Sequence, residues 1–89
     1  MSAYDYYDAA QGIAKQLSEA GHKEWSDRIV NAIAAGFLAG EILSEVWWHL
    51  KKFKKAELVV SDSLTSEISD LISQIEKAFK EVGSELRED

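Results

Sequence analysis

Apolar residues recur along this chain at intervals of three and four, the spacing that places them on one face of an α-helix. Four such segments predict helices at about 3–20, 22–35, 41–57 and 63–82, followed by a frayed tail at 84–89. The fourth segment is the most regular, and its apolar stripe runs from Leu64 to Leu86. Short connections between the segments predict an all-α fold, a four-helix up-and-down bundle of amphipathic helices that forms one domain over residues 1–89.

Residues that begin or end helices mark the boundaries of these segments. Ser2 and Asp5 have the spacing of a helix start, and Gly21 is placed to end the first helix. Ser61, the first of three N-cap residue types in a row, precedes the fourth helix. The glycine-rich segment Ala34–Gly40 reads either as a turn or as a GxxxG packing patch, and we favour the turn. Residues 58–60 are too few to form a sheet alone. We therefore predict that they form a loop that is held in place by apolar contacts.

The third segment is the most apolar and carries two of the three tryptophans. Its helical face consists of Ile42, Leu43, Val46, Leu50 and Phe53. Trp47 falls at the edge of that face, whereas Trp48 points almost the opposite way, in line with Glu41 and Glu45. An outward tryptophan is either an anchor for a binding partner or a cover for a gap against a neighbouring helix. Both interpretations of Trp48 stay open at this point.

Composition limits the class of protein. The 89 residues contain no cysteine and no proline, and their formal net charge is -6. The N-terminus lacks a basic segment followed by an apolar one, and no apolar run approaches the roughly 20 residues that span a bilayer, so we expect a cytoplasmic protein without membrane contact. A net negative surface repels phosphate backbones and attracts basic partners, which disfavours direct nucleic-acid binding.

The acidic side chains are arranged in stripes. Asp5, Asp8 and Glu19 share a face of the first helix, and four others follow one flank of the fourth helix, namely Glu67, Asp70, Glu81 and Glu85. Each stripe is either ordinary surface charge or a docking face for a basic protein. Residues 51–60 carry the opposite net charge, with four lysines and one glutamate. These lysines either neutralise a helix C-terminus or contact phosphate or an acidic membrane, and we favour the first explanation.

No arrangement of residues predicts catalysis. His22 and His49 lie on different helices without metal-ligand spacing, and the carboxylates lie on polar helix faces rather than in an apolar cleft. The serines have no GxSxG context and no histidine positioned to activate them. We therefore expect no enzyme activity, no catalytic residues, no cofactor and no metal.

The segment AGEILSEVWWHLKKF resembles a pattern in small helical immunity proteins of bacterial polymorphic toxin systems, including contact-dependent and secreted nuclease toxins. The matching positions are Gly40, Glu41, Ile42, Leu43, Trp48 and Leu50. Two departures are that Glu41 follows Gly40 directly and that Trp47 stands where the family has an arginine. The resemblance covers about 15 of the 89 residues.

The resemblance implies a stoichiometric inhibitor that binds and blocks the toxic domain of a cognate toxin. Many such toxins are nucleases, including EndoU-type ribonucleases, whose RNA-binding clefts are basic. The acidic stripes named above, with Glu41, Glu45 and Trp48, are then the expected partner-binding residues. Two alternatives remain: a homo-oligomeric helical structural or adaptor module without a toxin partner, and a designed bundle, which the irregular loop and unoptimised surface disfavour. A homodimer is compatible with both the inhibitor and the homo-oligomeric module.

Overall fold

The structure, a computed structural model, describes residues 4–36, 38–81 and 83. These residues form four helices and no strand: α1 is Tyr6–Glu19, α2 is Lys23–Ala35, α3 is Ala39–Lys55 and α4 is Asp62–Glu81. Each helix packs against the next, and α4 packs back against α1. The predicted all-α four-helix bundle is confirmed. None of the described helices combines the length and the apolar character needed to cross a membrane.

The core is built from one apolar stripe of each helix. Its buried apolar side chains are Ala10, Ile13, Ala14, Leu17, Ile29, Val46, Trp47, Leu50, Phe53, Leu64, Ile68, Leu71, Ile72 and Ile75. Full burial of one large apolar side chain stabilises the fold by roughly 1.5–3 kcal/mol, so the stripes dominate stability. Each helix keeps two polar flanks, which border the grooves between neighbouring helices.

The ends of α1 show two capping motifs. The Asp5 carboxylate accepts a hydrogen bond from the backbone N–H of Asp8 at 2.9 Å, so Asp5 is the N-cap rather than a first-turn acid. The helix therefore begins about three residues later than predicted, and the other half of the expected start, Ser2, lies outside the described residues. At the far end Gly21 adopts φ 91°, and the N–H of His22 reaches the carbonyl of Leu17 at 2.8 Å, which completes a Schellman motif.

The segment between α3 and α4 is a loop, as predicted. Val60 is half-buried against the core, and the imidazole Nε2–H of His22 donates to the carbonyl of Val59 at 3.1 Å. The side chain of Val59 is nevertheless 89% exposed, so only part of the apolar run holds the loop. The hydroxyl of Ser61 accepts the N–H of Leu64 at 3.1 Å and caps α4, which begins one residue earlier than predicted. Val82, the predicted last residue of this helix, and the predicted tail at 84–89 lie outside the described residues.

The glycine-rich segment between α2 and α3 is a turn rather than a helix–helix packing patch. Gly36 follows the last residue of α2, and Gly40 already belongs to the first turn of α3, which starts two residues earlier than predicted. A Cβ atom on Gly36 would collide with the Ile42 side chain, whereas one on Gly40 would meet nothing within 4 Å. Gly36 therefore permits the close approach of the turn to α3. Phe37 is not among the described residues.

We predict opposite effects of alanine at these two glycines. Gly36→Ala should destabilise the fold by about 1–2 kcal/mol, because the Ile42 side chain must move out of its packed position. Gly40→Ala, the matched control, should stabilise it by about 0.5 kcal/mol through a lower chain entropy of the unfolded state. Urea denaturation followed by circular dichroism measures both, and equal effects would contradict the proposed collision.

The backbone conformation at the C-terminus of α3 leads to a second prediction about stability. Glu57 adopts φ 52°, the left-handed region, at the position after the Ala56 cap where helices usually carry glycine. Glu57→Gly should therefore stabilise the protein by about 1 kcal/mol. Glu57→Ala removes the same side chain but keeps the Cβ atom, and it should give no comparable gain. Equal gains from both substitutions would show that the carboxylate, rather than the backbone conformation, is unfavourable.

Candidate functional site

The groove between α1 and α4 joins two of the predicted acidic stripes. The Gln16 amide on α1 donates to both carboxylate oxygens of Glu67 on α4, at 3.0 and 3.2 Å, and the Tyr6 hydroxyl reaches the Gln74 carbonyl at 3.4 Å. Asp70 and Glu81 follow Glu67 and Gln74 at helical spacing, so they lie on the same flank of α4. Both are exposed. Packing of α1 on α4 thus places this acidic flank beside α1.

Tyr4 lies at the same groove. Its ring meets the ring of Tyr6 edge-on, with 4.9 Å between centroids and 72° between planes, and the residue is 37% exposed. Burial raises the pKa of the Tyr4 phenol above its ordinary value, and the nearby charges of Asp70 and Glu67, together with Tyr6, raise it further. The tyrosine is therefore an aromatic group next to the carboxylates, and the sequence did not mark it as part of a site.

We call this surface the α1–α4 acidic face and define it by Tyr4, Asp5, Glu67, Asp70 and Glu81. Asp5 belongs to it because it stands three helical turns from Gln16, on the same side of α1. Two other acids of the first stripe, Asp8 and Glu19, are exposed on the outer side of α1, away from the core. The last predicted member of the α4 stripe, Glu85, lies outside the described residues.

Glu41 and Glu45 lie in a different place. They line an open groove of about 320 Å³ between α2 and α3, together with Asn31, Gly36 and His49. In the ring of four helices the α2–α3 groove lies across the bundle from the α1–α4 groove. The described members of the predicted partner-binding set therefore lie on different sides of the bundle and do not form one continuous surface.

Trp48 is half-buried and packs against the core cluster. The edge of its ring meets His49 at 5.1 Å between centroids, and the Lys52 ammonium lies 5.2 Å from the ring centre. The tryptophan is on the polar side of α3, as the helical spacing indicated, but neighbouring side chains partly cover it. It is thus a less open aromatic surface than the sequence alone suggested.

A cluster of side chains from α3 and α4 surrounds Trp47, and the sequence did not predict it. The Trp47 side chain is only 4% exposed, and its indole N–H donates to Glu76 Oε2 on α4 at 3.0 Å. The Lys51 ammonium lies 3.9 Å from the same oxygen and 5.5 Å from the centre of the Trp47 indole. These residues satisfy the buried indole N–H, which is a structural role. Because Trp47 and Glu76 are 29 residues apart, no local pattern signals the contact.

The two surfaces present carboxylates together with neutral polar and aromatic side chains. Among residues 4–36, 38–81 and 83, no three side chains of His, Cys, Asp or Glu converge as metal ligands would. The Ser61 hydroxyl is engaged as a helix cap. What the α1–α4 acidic face offers is several carboxylates and an aromatic ring. Comparison with protein-family models, with curated proteins and with solved structures gave no match.

The raised pKa of the Tyr4 phenol can be measured by titration. Its pKa is raised above the usual 10.0, so the folded state holds this proton more tightly than the unfolded state. The stabilising contribution is therefore complete below pH 10 and is lost as the pH rises through the folded-state pKa. In an ultraviolet titration of tyrosinate, Tyr4→Phe should remove a component whose midpoint lies above pH 10. Asp70→Asn should lower that midpoint only in part, because burial is the largest cause.

Tyr7→Phe serves as the control for this titration, since Tyr7 is not among the groups that shift the Tyr4 pKa. If the component that Tyr4→Phe removes instead has a midpoint at or below pH 10, the result would contradict the described burial of Tyr4 beside Asp70.

Proposed function

We propose that this chain is an immunity protein that binds and blocks a cognate toxin domain, a basic nuclease such as an EndoU-type ribonuclease, by stoichiometric protein–protein inhibition. The observation that carries the proposal is the α1–α4 acidic face. Glu67 and Asp70 lie there beside Tyr4, in a chain of net charge -6. The resemblance of the segment around Trp48 to immunity proteins supports the same function.

The mechanism is occupation of the surface that the toxin needs for its substrate. A nuclease cleft binds phosphates through lysine and arginine side chains, and the carboxylates of the α1–α4 acidic face compete for the same cations. Opposite charges accelerate encounter before contact, and this steering weakens with salt, since the screening length is about 8 Å at physiological ionic strength. The inhibitor then needs only to exclude the substrate, without any chemical step.

Specificity requires more than charge, because many proteins present basic clefts. Interfaces gain most of their affinity from a few desolvated aromatic or arginine anchors. Tyr4 is the aromatic residue placed among the carboxylates, and its partner would be an arginine or an apolar pocket of the toxin. Trp48, which is half-buried, is the anchor of the competing docking mode through Glu41 and Glu45.

One observation favours a second candidate, a homo-oligomeric helical structural or adaptor module. Leu38 is 69% exposed and Val59 is 89% exposed, and contact with a second copy of the chain would remove these apolar side chains from water. Sedimentation velocity over a range of concentrations separates the two functions. A stable oligomer that persists when the proposed toxin domain is added would favour the module over the inhibitor.

The inhibitor function is tested by co-expressing this chain with the C-terminal domain encoded by the gene directly upstream of its own. We expect the two to co-purify in equal amounts and the growth defect caused by that domain to be relieved. A variant with the charges of Glu67 and Asp70 reversed should rescue growth less well at the same expression level. No complex and no rescue with the native chain would reject the proposed function.

The docking face is tested by association kinetics with the captured toxin domain. Glu67→Lys with Asp70→Lys should slow association by about tenfold at low salt and flatten its dependence on ionic strength. Glu41→Lys with Glu45→Lys changes the net charge equally on the other side of the bundle and should have a much smaller effect. The reverse order would assign docking to the α2–α3 groove, and unchanged kinetics in both variants would remove electrostatic steering altogether.

A further inference from the structure

The flank of α4 that faces α3 differs from its acidic flank, because lysines surround it. Lys51, Lys54 and Lys55 line an open depression of about 240 Å³ with Ile72 at its base. The lysines belong to the last turns of α3, where the helix dipole favours cations. That dipole corresponds to only about half a negative elementary charge, whereas residues 51–60 hold four lysines and one glutamate. The dipole accounts for only part of this positive charge.

Among the described residues, a carboxylate lies within ion-pair distance of only one of these lysines, Lys51. The Lys54 ammonium donates to the neutral hydroxyl of Ser69 at 3.0 Å. Lys51 lies 3.9 Å from Glu76, whose carboxylate makes its closer contact, at 3.0 Å, with the Trp47 indole. Among the ion pairs of the described residues, none includes Lys54 or Lys55. In a chain with 16 acidic residues, a positive surface therefore stays available for an anionic partner.

An apolar cleft adjoins the lysines. It has a volume of about 170 Å³ and is lined by Phe53, Leu58, Val60 and Ile68, and Lys54 belongs to both depressions. This volume is similar to that of the engineered apolar cavities of ~150 Å³ that bind a benzene ring. The cleft thus has room for one large apolar side chain, next to the uncompensated ammonium groups.

The cleft is held open by contacts that do not involve a ligand. The Nε2–H of His22 holds the Val59 carbonyl at 3.1 Å, and the edge of the His22 ring meets Phe53, with 5.8 Å between centroids. Val60 is half-buried against the core. A ligand therefore meets a preformed loop and does not lose binding energy by ordering it.

We propose that this lysine-flanked cleft binds an acidic peptide segment of a partner protein. One large apolar side chain of that segment enters the cleft beside Phe53, and its flanking carboxylates pair with Lys51, Lys54 and Lys55. The proposal uses the opposite flank of α4 from the α1–α4 acidic face and does not depend on the inhibitory function. A membrane surface fits less well, because the site is a concave cleft with room for a single apolar side chain.

The test uses the full chain and a short labelled peptide of aspartates and glutamates with a single central leucine. Fluorescence anisotropy should show saturable binding with a dissociation constant of about 10–500 μM, as expected for one anchor and a few exposed charge pairs. Lys54→Glu with Lys55→Glu should weaken binding by about tenfold or more. Lys15→Glu with Lys77→Glu changes the net charge equally at exposed positions elsewhere and should weaken it less than threefold.

The apolar half of the site has its own variants. Thr65 is exposed at the cleft, so Thr65→Phe should fill the cleft and weaken binding without unfolding α4. A peptide with serine in place of leucine should bind at least about fivefold more weakly to the native chain. Circular dichroism of each variant verifies that the helices are retained.

Three results would overturn the proposal. The first is no saturable binding of the leucine peptide, and the second is equal weakening by the Lys54/Lys55 and Lys15/Lys77 pairs of substitutions. The third is binding to vesicles of equal parts phosphatidylcholine and phosphatidylserine, or to a single-stranded oligonucleotide, under conditions where the peptide does not bind.

Discussion

The structure depends on one constraint, that each helix must bury a single apolar stripe in an interior shared by four helices. The stripe of α4 runs from Leu64 to Ile75 and that of α1 from Ala10 to Leu17, and every member is almost completely buried. Once these stripes meet, the polar flanks of each helix border the grooves between neighbours. Groups that could meet a partner are thereby confined to the grooves and the outer faces.

The two flanks of α4 illustrate the consequence. One flank faces α1 and carries Glu67 and Asp70 beside Tyr4, while the other faces the lysines of α3 and carries Glu76 and Ser69. The helix thus separates a groove where carboxylates predominate from one where the lysines of α3 predominate. A bundle with this separation can present opposite potentials to two different partners. The charged residues Glu67 and Asp70 of one surface and the lysines of the other lie on helices, which hold side-chain positions better than loops do.

The fold could be predicted from the sequence because the spacing of apolar residues and the residues that begin and end helices are properties of short segments of the chain. Gly21 ends α1 and Ser61 caps α4, as their residue types indicated. The start of α1 was misplaced because Ser2 and Asp5 are both capping types, and only the bond from the Asp8 N–H selects Asp5. The positive φ of Glu57 could not be predicted from its residue type, because glutamate rarely adopts this conformation.

The candidate sites were less predictable because they depend on which helices become neighbours. The acidic stripes were visible in the sequence, but nothing local brings Gln16 to Glu67 or Tyr4 to Asp70. The same holds for the indole of Trp47 and the carboxylate of Glu76. Periodicity gives the face of one helix, and only the tertiary arrangement shows that the predicted acids divide between two sides of the bundle.

The most direct test of the account is carboxylate footprinting of the chain alone and in complex with the co-purified toxin domain. Carbodiimide labelling followed by mass spectrometry reads the accessibility of each acidic side chain. The account predicts that Glu67, Asp70 and Glu81 become protected in the complex, while Glu24 and Glu41 label as in the isolated chain. Protection of Glu41 with unchanged labelling of Glu67 and Asp70 would contradict the claim that the α1–α4 acidic face binds the partner.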